Sequence, residues 1–155
     1  SPYRIEYIAN LVDALAESGN TLVLVDRVKS GELLCELLGD KSVFVSGSMK
    51  SVDRKDQYDE IAISDGKIIV ATYGVAAVGI NIPRIFNLVL IEPGKSFTRV
   101  IQSIGRGIRR AQDKDHVDIW DITSSAKFSK KHMMVRKKFY QEANYPFTQE
   151  KVKYK

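Results

Sequence analysis

Gln102-Ser103-Ile104-Gly105-Arg106-Gly107-Ile108-Arg109-Arg110 is the stretch whose residue types and spacing suit chemistry best. Arg106 and Arg109 are three positions apart, so on a helix they are neighbours on one side. Ile101, Ile104 and Ile108 recur at helical spacing and supply a face for packing against a core. Gly105 and Gly107 give the guanidinium groups little steric cover, and glycine is a poor choice for a purely structural helix. Two permanently charged planar forks held side by side suit an anion that takes bidentate contacts, such as a polyphosphate. An arginine that reaches into a neighbouring domain's phosphoryl-transfer site stabilises the charge developing there. On spacing alone, a solvated basic helix face accounts for the same residues equally well.

The elements that must position this stretch follow from hydrophobic patterning. Tyr3 to Glu17 sets Ile5, Ile8, Leu11, Val12 and Leu15 on one stripe and reads as an amphipathic helix, closed by Ser18-Gly19-Asn20 with Gly19 as a left-handed cap. Thr21-Leu22-Val23-Leu24-Val25 is apolar without alternation, as a strand buried on both faces is. Val28 to Leu38 returns to helical spacing, and Gly39 closes it. Further strands are read at 42–45, 67–71, 86–91 and 116–120, the last alternating enough for a sheet edge. A charged helix is read at 52–63, a loop at Thr72-Tyr73-Gly74, and a last helix from about 126 to 143. Strands alternating with helices give an α/β domain with a mainly parallel central sheet flanked by helices in three layers. Ligands of such sheets gather beyond the carboxyl ends of the strands. Asp26-Arg27, Ser46-Gly47 and Thr72-Tyr73-Gly74 lie there, together with the segment that feeds the arginine stretch.

Composition narrows the function classes. Of 155 residues, 44% are hydrophobic, enough for one domain with a core, and no apolar run approaches a membrane span. The start Ser1-Pro2-Tyr3-Arg4 does not read as a signal peptide. Cys35 is alone, so no disulfide framework is expected, and a reducing, cytoplasmic setting is the natural one. His116 and His132 sit near no acidic pair at ligand spacing, so no metal site is assigned. The net charge of +5 is concentrated at one end. Residues 127–155 carry nine Lys/Arg against Glu142 and Glu150, whereas the first 126 hold fifteen basic and seventeen acidic side chains. This stretch reads as a basic helix and tail, able to attract a phosphate backbone without reading bases, or simply a solvated face.

Two absences matter. A nucleotide hydrolase of this architecture working alone needs a phosphate cradle such as G-x-x-x-x-G-K-[ST]. Ser46-Gly47-Ser48-Met49-Lys50-Ser51 lacks the first glycine at that spacing, and no strand ends in a close carboxylate pair for Mg²⁺. The G-x-G-x-x-G fingerprint of nicotinamide enzymes is missing as well. Arginines fit for phosphoryl transfer in a chain with no nucleotide cradle suggest a half-site completed by another domain.

Three blocks in order resemble the second RecA-like domain of superfamily 2 helicases and translocases. Gln102-x-x-Gly105-Arg106-x-x-Arg109 is similar to that family's arginine-finger motif. Ile69-Val70-Ala71-Thr72 followed by Gly79-Ile80-Asn81-Ile82-Pro83 resembles the motif joining nucleic-acid contact to the nucleotide ribose. Thr21 to Asp26, with the helix after it, and Val43-Phe44-Val45-Ser46-Gly47 resemble the strand-loop elements that touch nucleic-acid phosphates. The resemblance implies that Arg106 and Arg109 contact the γ-phosphate of ATP, held with Mg²⁺ mainly by a first motor domain, and that Gln102 hydrogen-bonds across the cleft. It implies that Gly79 and Asn81 border the ribose, and that Thr72, Ser46, Gly47 and Arg27 lie against the nucleic-acid backbone. Asn81 replaces the family's usual aspartate, and Val78 stands where DEAD-box RNA helicases carry arginine. The Gln-led motif and His132 to Tyr140 look more like phage DNA translocases of recombination and repair. The expected partners are branched or duplex DNA, RNA–DNA hybrids and the first motor domain. The alternative is a non-catalytic nucleic-acid-binding domain that keeps the fold.

Overall fold

The computed structural model describes residues 2–47, 50–77, 85–93 and 118–122. Helix α1 (Pro2–Ser18) leads into strand β1 (Thr21–Val25), followed by α2 (Val28–Leu38), a 3-10 turn at Gly39–Lys41 and β2 (Ser42–Val45). Then come α3 (Ser51–Ala62), β3 (Ile68–Thr72), α4 (Tyr73–Ala77), β4 (Asn87–Ile91) and β5 (Asp118–Ile122). The described strands form one parallel sheet in the order β2-β3-β1-β4-β5.

Every residue of β1 and β4 is buried, which explains their unbroken apolar sequence. Leu22, Leu24, Ile69, Ala71, Leu88 and Leu90 face one layer and meet Ile61 of α3 and Val75 and Ala76 of α4. Val23, Val25, Ile68, Val70, Val89 and Ile91 face the other and meet Ile8, Val12 and Ala16 of α1 and Leu34 and Leu38 of α2. The connection from β1 out to β2 runs through α2 on one face. The returns from β2 to β3 and from β3 past β1 to β4 use α3 and α4 on the opposite face, as a single crossover hand requires. Among the described residues no helix is long and apolar enough to cross a membrane.

A buried polar joint ties the amino edge of the sheet to the turn between α3 and β3. Asn20, fully buried, donates its Nδ2 to Ile61 O at 2.9 Å and Ser64 O at 2.7 Å, and its Oδ1 accepts from Lys67 N–H at 2.9 Å. Asn87 donates to Leu15 O at 3.1 Å and Ser18 Oγ at 3.2 Å, fixing the end of α1 beside β4.

Three expectations are corrected. Gly19 does not adopt the left-handed helical cap: its φ is +158°, far from the +57° of that conformation. Its positive φ still strains any residue with a Cβ, and space adds a second constraint, since a Cβ there would lie 2.7 Å from Phe86 Cγ. Thr72-Tyr73-Gly74 is not a loop, because α4 starts at Tyr73 directly after β3. Strand β5 reaches Ile122, two residues beyond the expected end, because its ladder with β4 runs from Asn87↔Asp118 to Ile91↔Ile122. His116, Val117 and the last helix lie outside the described residues.

Candidate nucleic-acid interface at the carboxyl edge of the sheet

The ladder brings Arg27, Ser46, Gly47 and Thr72 to one edge. Val25 is level with Thr72 and Val45 with Ala71, so the exits of β2, β3 and β1 emerge side by side. With strands about 4.8 Å apart, the three exits make a row roughly 10 Å long.

Each exit has its own local cause. Arg27 precedes α2 with extended backbone, φ −132° and ψ 144°, and makes no side-chain cap. Its side chain is 82% exposed, and its Nε is 4.0 Å from Asp26 Oδ2, so this exposed neighbouring pair is weak. Among the described residues, a Cβ at Gly47 would meet only Val75 Cγ2, at 4.0 Å, so local packing there does not demand glycine. Thr72 ends β3 half-buried, and its Oγ1 accepts from the Val75 N–H at 3.4 Å. A hydroxyl that accepts in this way keeps a proton to donate.

The exit of β4 holds residues that sequence patterning did not single out. Glu92 has a φ of +47°, a left-handed conformation uncommon for a residue with a Cβ. It is held from two sides: Arg4 Nη2 lies 2.7 Å from Glu92 Oε1, and the Glu92 N–H donates to Ile122 O at 2.9 Å. One residue earlier, the Tyr73 hydroxyl donates to Ile91 O at 2.9 Å. In the sequence, the strand read at 86–91 simply ends before Glu92-Pro93-Gly94. Nothing local in the sequence pairs residues 88 positions apart.

Arg106, Arg109, Gln102, Gly79 and Asn81 lie outside the described residues. Among the described residues no group of three or more His, Cys, Asp or Glu could hold a metal ion. Burial raises the Cys35 thiol above its ordinary range, against a smaller opposite pull from the hydrogen bond with Ser42, which does not make it a nucleophile.

The described strands thus form a parallel sheet flanked by helices, with polar side chains collected where the strands end. The chain belongs to the helicase conserved C-terminal domain family, which residues 4–111 match. It is similar to the ATP-dependent DNA helicase uvsW of Enterobacteria phage T4, with 33% identity over 140 residues. That match covers 88% of this chain and 28% of the phage protein, so the chain spans under a third of that relative's length. The crystal structure of T4 UvsW matches with a TM-score of 0.71 and 25% identity, over 90% of this chain and 32% of that one. The C-terminal domain of the DEAD-box protein Dbp5 matches with a TM-score of 0.63 over 86% of this chain and 80% of that one. At 19% identity the latter shows the shared RecA-like fold alone.

Proposed function

We propose that this domain is the second motor domain of an ATP-dependent DNA helicase or translocase, acting inside the cell in recombination or repair. The observation that carries it is the extent of the family match, residues 4–111, which runs through the whole of Gln102 to Arg110. Arg106 and Arg109 would close on the terminal phosphate of ATP held by a first motor domain. Gln102 would bond across the cleft, and Gly79 and Asn81 would border the ribose. ATP, bound with Mg²⁺ by the first domain, supplies the terminal phosphoryl charge that draws the arginines in. While that charge is present the two guanidinium groups hold the cleft closed, and when it is gone they release it. Meanwhile Arg27, Ser46, Gly47 and Thr72 would hold one strand by its backbone. Such contacts position a strand without reading its bases. The alternation of closed and open clefts then moves branched or duplex DNA, or an RNA–DNA hybrid, in steps.

The similarity to a phage DNA helicase favours DNA as the substrate. The second reading, a non-catalytic nucleic-acid-binding domain, rests on the row of strand-end residues without the arginines. Steady-state ATP hydrolysis by the complete protein, with and without DNA, separates the two. DNA-stimulated turnover is expected, and its absence beside intact DNA binding would leave the second reading standing.

A further inference from the structure

We infer that Tyr73 is a positioning residue that links the DNA-contacting end of β3 to the strand leading into the arginine stretch. The inference rests on the motor function proposed above. Tyr73 directly follows Thr72 and opens α4, yet its hydroxyl donates to Ile91 O, at the end of β4, over 2.9 Å. Strands β3 and β4 are not neighbours, because β1 lies between them. At about 4.8 Å per strand, the Tyr73 side chain and its hydrogen bond together bridge roughly 10 Å, past β1 to the end of β4. The ring packs half-buried against the cluster that includes Leu24 and Leu90, so the side chain is a braced strut.

Its far end grips the final carbonyl of β4. One residue on, Glu92 turns into the left-handed region and is fixed by Arg4 and by Ile122 O. Ile91 is thus the last residue of β4, and in the sequence the segment up to Gln102, eleven positions later, begins just after it. A displacement of Thr72 by a strand phosphate is carried by its chain neighbour to the root of that segment. The ladder joins β3 and β4 only indirectly, through β1, whereas the Tyr73 hydroxyl bridges their ends in one step.

The test uses the complete protein with Tyr73→Phe, which keeps the ring and removes the hydroxyl. Losing one neutral hydrogen bond that matters in the closed state is expected to lower kcat at saturating DNA about three- to tenfold. DNA affinity and KM for ATP are expected to stay unchanged, and the urea midpoint to fall only slightly, as the loss of one part-buried hydrogen bond requires. Because Tyr73 acts through the arginines, the same change made in an Arg109→Lys background is expected to produce a much smaller further loss. An unchanged kcat would overturn the inference, and so would an equal loss in the Arg109→Lys background. A loss that appears only together with a large drop in the urea midpoint, and disappears when turnover is corrected for the folded fraction, would also overturn it by showing a role in folding alone. Failure of the underlying motor function would look different: Arg109→Lys by itself would leave turnover intact.

Discussion

Asn20→Ala removes the central member of the buried joint between α1, α3 and β3, and its cost follows from its three bonds. Ile61 O keeps a partner, since it also accepts from the Ser64 N–H at 3.0 Å. Ser64 O and Lys67 N–H lose the contact each makes with this side chain, at 2.7 and 2.9 Å. A buried group left unsatisfied costs about 1–3 kcal/mol, and both of these sit only partly buried, where water offsets some of the loss. The expected total is about 2–4 kcal/mol, a large share of a typical domain's stability. With an m-value of about 2 kcal/mol/M in urea, the unfolding midpoint of the chain should fall by about 1–2 M at unchanged slope. Asn20→Asp keeps the shape and the bond from Lys67 but turns a donor toward two carbonyls into an acceptor. It should cost at least as much as alanine. An alanine loss below about 1 kcal/mol, or an aspartate as stable as wild type, would refute the role given to these bonds.

Two other perturbations probe the interface and the core. Arg27→Ala should weaken single-stranded DNA binding and reduce the slope of log affinity against log salt by about 0.7, the share of one phosphate contact. An unchanged slope would remove Arg27 from the strand path. Burial raises both the Cys35 thiol and the Tyr58 phenol, against smaller opposite effects of Ser42 and Arg54 respectively. Their unfolded forms therefore lose protons first as pH rises. The thiol's contribution is complete below its ordinary range and declines above it, and the phenol's does the same about one unit higher, so the urea midpoint should drop between about pH 8 and pH 11. Cys35→Ala should remove the thiol's part of that decline, and a midpoint that climbs over this range would contradict the sign.

Strands buried on both faces were the most legible part of the fold. The run Thr21–Val25 admits no amphipathic alternative, and its neighbours repeat the pattern. Helix α2 was equally plain, with Leu34 and Leu38 recurring at helical spacing. Helix α4 was missed because five residues are too few to show a period, and Tyr73-Gly74 carries turn chemistry. Thr72 was the available clue, a residue type that caps helix starts. At Gly19 the residue was legible but not its full reason, because besides a positive φ the Phe86 ring, 67 positions away, leaves no room for a Cβ and no local trace. At the site, the rule that ligands gather at strand ends was enough to group Arg27, Ser46, Gly47 and Thr72. The same rule places Tyr73 there but not its bond to Ile91 O, and it does not reach Arg4 or Glu92. Their partnerships depend on which strands become neighbours, and local spacing does not encode that.

ATP turnover by the complete protein carrying Arg109→Ala, at saturating DNA, tests the central claim most directly. Turnover should fall by roughly three orders of magnitude, the scale on which arginine fingers act, while DNA binding is retained. Wild-type turnover in that variant would contradict the assignment of this domain as the source of the catalytic arginines.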